Sequence, residues 1–111
     1  MKYDNYLTTE IKHMLSFSYS VYSDSEYLEE LIDNRVKLGL KECNDILKQS
    51  LLDLDSCRWS MEKSQTQYNI VINMIAIMYL ENRKSDIYEA LNEEITQWGD
   101  SVRQEVLNWI G

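Results

Sequence analysis

Along most of the 111-residue chain, apolar residues recur at spacings of three and four. That is the period of helices with one buried face. The first segment runs from about Asp4 to Tyr22, with Leu7, Ile11, Met14, Leu15, Ser18, Val21 and Tyr22 on one side. Asp4 stands where an N-cap belongs. Ser23-Asp24-Ser25-Glu26 breaks the pattern; Ser23 and Glu26 have capping-box spacing, and Ser25 is an alternative cap. The second pattern holds Leu28, Ile32, Val36, Leu40, Cys43, Leu47, Leu51 and Leu54. Gly39 interrupts it without shifting its phase, so one long helix with a soft point, or two helices meeting there, both fit. Periodicity fades between Leu54 and Gln65. A turn is expected between Asp55 and Thr66, with Ser64 or Thr66 capping the next helix.

The third pattern, about Thr66 to Asn82, is apolar on most sides between Ile70 and Leu80. Such a helix is usually central. Its β-branched residues would also suit a strand, but no second strand candidate exists to pair with it. Glu81 to Ser85 reads as a turn. The last pattern, Ile87, Leu91, Ile95, Trp98, Val102, Val106, Trp109 and Ile110, keeps phase through Gly99. Asp100 could restart a helix there, which predicts a kink. The expectation is an all-α fold over residues 1–111. It is an antiparallel bundle of four long helices, or five or six if Gly39 and Gly99 break them.

Composition supports this reading. There is no proline and there are three glycines, too few for the many turns of a sandwich or barrel. Part of that scarcity follows base composition, since alanine, also GC-coded, occurs only twice. The helical expectation therefore rests on periodicity. The longest apolar run, Ile70 to Leu80, is 11 residues with Asn73 inside it, short of the roughly 20 needed to span a bilayer. The first six residues lack the apolar stretch of an export signal. Cys43 and Cys57 are expected to be free thiols of a cytoplasmic protein.

Catalytic chemistry finds little footing. His13 is the single histidine, so no paired-histidine metal motif exists. Glu10-Ile-Lys-His13 is one half of a di-iron motif without its second half. Three scattered glycines form no phosphate loop. No enzyme, metal or cofactor is expected.

Charge is more informative. Nineteen acids against 11 bases leave a net charge of −8, which disfavours direct binding to nucleic acid or anionic membrane and suits a basic partner. On the last helix, Asp86, Glu89, Glu93 and Asp100 fall within about 60° of one another, opposite Leu91 and Trp98, along about 21 Å. No lysine or arginine lies between Ser85 and Val102. Asp24, Glu26, Glu29, Glu30 and Asp33 form a second cluster, in which Asp33 and Lys37 have helix-pair spacing. Either cluster is a solvated face or a docking surface, and acids near helix starts also answer the macrodipole. Tyr6, His13 and Phe17 lie together off the main stripe of the first helix. They are buried by a second neighbour, or Tyr6 and Phe17 anchor a partner or a dimer. Trp59, Trp98 and Trp109 are expected in the core or at its edge.

In size, acidity and helicity the chain resembles the bacterial immunity proteins that neutralise cationic nuclease toxins, such as those of colicins and contact-dependent inhibition systems. The resemblance implies a non-enzymatic inhibitor of a basic toxin domain. Asp86, Glu89, Glu93, Asp100, Glu26, Glu30 and Asp33 would then supply charge complementarity, since a nuclease site is built for polyphosphate. There are two alternatives: a phage-type nucleic-acid mimic (anti-restriction or anti-CRISPR), which uses the same charges, and a helical adaptor that self-associates through its first helix.

Overall fold

The computed structural model describes residues 2–7, 25–57, 60–83 and 100–110. They form four helices: α1, Ser25–Leu38; α2, Leu40–Ser56; α3, Ser60–Glu81; and α4, Asp100–Ile110. No strand occurs among the described residues. The fold is an all-α arrangement of packed helices, as the periodicities predict.

The second sequence pattern resolves into two helices joined by one residue. Gly39 has φ 90° and ψ 165°, a conformation open essentially to glycine alone. Its amide donates to the Val36 carbonyl at 3.1 Å, and its carbonyl accepts from the Cys43 amide at 3.1 Å. The apolar phase thus survives the joint although the helix itself does not. Leu28 and Ile32 fix the buried face of α1; Cys43, Leu47, Leu51 and Leu54 fix that of α2.

α3 begins at Ser60, six residues before the expected start. Glu62, Lys63 and Gln65 are exposed, so this first part has no apolar stripe to read, though Glu, Lys and Gln are all good helix formers. Ser64 and Thr66 therefore lie inside the helix, and only residues 57–59 connect α2 to α3. So short a connection makes the two helices antiparallel neighbours. Cys57 Sγ and Thr66 Oγ1 meet at 3.5 Å near its base.

Every residue from Ile70 to Met78 is buried, because α3 serves two hydrophobic clusters. Tyr68, Val71, Ile72, Ile75 and Met78 pack with Tyr3, Leu7, Leu28 and Ile32. Ile70, Met74, Ala76 and Ile77 pack with Cys43, Leu47, Leu51, Leu54 and Val106. Asn73 sits among them fully buried; its Nδ2 donates to the Asn69 carbonyl at 2.7 Å, while its Oδ1 has no hydrogen-bond partner among the described residues.

α3 ends where the sequence places a turn. Asn82 takes φ 53°, its amide donates to Tyr79, and the Arg83 amide donates to Met78. This is a Schellman cap with asparagine in the position glycine usually fills. Arg83 then ties the end of α3 to α4. Its guanidinium lies 4.7 Å from the Trp109 ring centroid and donates to the Trp109 carbonyl at 3.0 Å. Trp109 is half-buried at the edge of both clusters. α4 is described over Asp100–Ile110; Gly99, and with it the kink expected there, lies outside the described residues.

Residues 2–6 form a turn in which Tyr6 donates to the Tyr3 carbonyl at 2.9 Å. Tyr3 and Leu7 are buried, and they anchor the start of the chain to α1 and α3. The remainder of the expected first helix, with His13 and Phe17, lies outside the described residues.

Candidate functional site

Burial of Leu28 and Ile32 decides what the other side of α1 presents. At 100° per residue, Glu26, Glu30 and Asp33 fall within about 60° of one another, on the side away from those two residues, with Glu29 on the flank. Glu26 and Glu30 are exposed, and Glu29 and Asp33 are partly so. From Glu26 to Asp33 the face is about 10 Å long. Lys37 lies at its C-terminal end and is exposed, and Tyr27, 41% exposed, stands beside it. Three of the predicted acidic residues, Glu26, Glu30 and Asp33, are thus brought onto one surface.

Asp33 differs from its neighbours. The sequence suggests Lys37 as its partner, four residues on. In the structure its closest partners come from the start of the chain. The Tyr3 hydroxyl donates a hydrogen bond to Asp33 Oδ1, and Lys2 Nζ lies 3.4 Å from the same oxygen. The Tyr3 hydrogen bond, followed by the positive charges of Lys2 and Lys37, holds the Asp33 carboxyl below the usual carboxylate range, against a smaller opposing effect of desolvation. Burial, then the bond to the Asp33 carboxylate, pushes the Tyr3 hydroxyl well above its ordinary value.

Two more tyrosines complete this corner. The rings of Tyr3 and Tyr79 meet edge to face, with centroids 5.0 Å apart and planes at 80°. Lys2 Nζ lies 5.7 Å from the Tyr3 centroid and 5.8 Å from that of Tyr79. Tyr6 packs edge-on against Tyr79, with centroids 6.4 Å apart, and its hydroxyl donates to Asn82 Oδ1 at 3.3 Å. Tyr6 is half-buried here.

Asp86, Glu89, Glu93 and Phe17 lie outside the described residues. Asp100 opens α4, and its side chain lies outside the described part of the structure. The Lys2–Tyr3–Asp33–Tyr79 constellation has no counterpart in the sequence pattern. Its three parts, the Lys2-Tyr3 pair, Asp33 and Tyr79, are separated from one another by 30 and more residues, and the one local hint is the crowding of tyrosines near the start of the chain.

Among the described residues no group of three or more His, Cys, Asp or Glu side chains could hold a metal ion. No helix among them is long and apolar enough to cross a membrane. Cys43 and Cys57 are free thiols. Burial raises the Cys43 thiol above its ordinary range, and its Sγ is 3.0 Å from the Arg35 carbonyl. It is a buried core residue and not an activated nucleophile. No protein-family model, curated protein or solved structure matches the chain.

Proposed function

We propose that the protein is a non-enzymatic inhibitor of the immunity type, which binds a basic protein partner, a nuclease toxin domain, in the bacterial cytoplasm. The observation that carries this reading is the solvent side of α1. Glu26, Glu29, Glu30 and Asp33 share it, held outward by Leu28 and Ile32 in the core, in a chain of net charge −8. Carboxylates arranged in this way steer a cationic partner and set its register more than they raise affinity. Asp86, Glu89, Glu93 and Asp100 extend the acidic character toward the end of the chain. A polyphosphate-binding cleft presents the complementary charge.

The test pairs the protein with the product of any neighbouring gene that encodes a basic nuclease domain. The expected result is inhibition of the nuclease, with association that slows as salt rises. The double charge reversal Glu26→Lys and Glu30→Lys slows association by at least about tenfold. Glu89→Lys with Glu93→Lys tests the second group of acids in the same assay. Inhibition that ignores both salt and all four reversals would remove the acidic surface from the mechanism; absence of a complex would remove the function.

A further inference from the structure

We propose that Tyr3, Tyr79 and Asp33 form a seat for an ammonium group, filled in the free protein by the chain's own Lys2 and taken over in the complex by a lysine of the basic partner. The proposal rests on α1 being a contact surface, and it names the group that surface receives.

The chemistry of the corner is that of a cation site. Two ring faces within about 6 Å of a cation attract it through their quadrupoles, and Lys2 Nζ meets this condition for both Tyr3 and Tyr79. A carboxylate oxygen at 3.4 Å supplies the counter-charge. The edge-to-face setting of the rings makes them two walls of a corner.

The seat does not depend on Lys2 for its shape. Tyr3 is fully buried, packed with Leu28, Ile32 and Ile75, and its hydroxyl is bonded to Asp33. Tyr79 projects from α3 and packs against the same cluster. Removal of the ammonium therefore leaves a preorganised site, the condition under which little is lost on binding a new occupant. Lys2 itself is loosely held. Its side chain is 49% exposed, and exposed pairs of this kind are weak.

Location supplies the partner's chemistry. Asp33 lies at the end of the row formed by Glu26, Glu29 and Glu30. A basic surface drawn to that row places its lysines within reach of the corner. A compact, rotatable ammonium suits the Asp33 oxygen that Lys2 already occupies, whereas guanidinium favours a bidentate carboxylate fork.

The experiment monitors the ring resonances of Tyr3 and Tyr79 by NMR in the full-length protein titrated with n-butylammonium chloride, with sodium chloride as the ionic-strength control. Lys2→Ala should saturate at about fivefold to tenfold lower ligand concentration than the wild type, because the internal competitor is gone. Lys2→Gln should behave likewise, which guards against a folding artefact of the first variant. Adding Asp33→Asn, which retains an acceptor for the Tyr3 hydroxyl, should abolish saturation while the Tyr3–Tyr79 nuclear Overhauser contact persists. The proposal is overturned if both Lys2 variants bind no tighter than wild type, if saturation survives Asp33→Asn, or if methylguanidinium binds in preference. Glu26→Lys with Glu30→Lys should weaken n-butylammonium binding through charge repulsion yet leave it saturable, because Asp33 and both rings remain in place. Loss of toxin association in that double variant, and loss of the seat in Asp33→Asn, therefore report on separate claims.

Discussion

Replacing Gly39 by alanine sets two geometries against each other. If the chain ran through this point as one helix, alanine would stabilise it by about 1 kcal/mol, the ordinary difference in helix propensity. At φ 90° and ψ 165° the sign reverses. An L-residue there costs of order 1–3 kcal/mol. A Cβ at this position meets nothing within 4 Å, so no steric clash adds to the backbone term and no new contact offsets it. For a domain of this size 1 kcal/mol corresponds to about 4 °C. The expected fall in Tm is therefore about 4–12 °C. The same cost should appear as a lower midpoint in urea with an unchanged m-value. A rise in Tm would refute the joint, since it is the response of a continuous helix.

Other substitutions test the packing and the charge at Asp33. Leu47→Ala should cost about 2–5 kcal/mol, since the side chain is fully buried; Leu52→Ala, 63% exposed, should stay within about 0.5 kcal/mol, both read by urea denaturation. Asn73→Leu removes a buried oxygen without a partner among the described residues and should leave Tm unchanged or raise it, by up to about 1 kcal/mol in stability; a marked fall would mean that the amide orders the core. Tyr3→Phe should move the Asp33 carboxyl back up toward its usual range, measured by NMR titration. Because the folded-state value is depressed, the Asp33 contribution is present above the unfolded carboxylate range and lost as pH falls through the depressed one. The stability gap between Tyr3→Phe and wild type should therefore narrow on acidification below about pH 4.

The parts of the fold legible in the sequence are those where burial is one-sided or complete. Cys43, Leu47, Leu51 and Leu54 mark α2 by spacing, and the unbroken run from Ile70 to Met78 marks the middle of α3. The first turns of α3 are hidden because they are exposed on the sides the structure describes, and polar helices carry no period. Gly39 is ambiguous for a different reason: phase records which residues face the core, and says nothing of the direction of the axis. On the candidate surface, the face shared by Glu26, Glu30 and Asp33 follows from helical geometry. The partners of Asp33 do not, because Lys2 and Tyr3 reach it through the tertiary fold while the nearer Lys37 contributes only as a more distant charge.

The double burial of α3 also governs how the molecule comes apart. One helix forms a wall of both hydrophobic clusters, so neither can open without stripping a face from the other's central element. The segment that begins at Lys2 and the helix that ends at Ile110 are thereby coupled through α3, with Trp109 at the edge of both clusters adding a second link. In hydrogen-exchange terms, the amides of residues 70–78 belong to the slowest unit, released only when the whole chain unfolds. An event that loosens the Tyr3 corner would be felt at Val106 as a change in global stability and not as a local rearrangement.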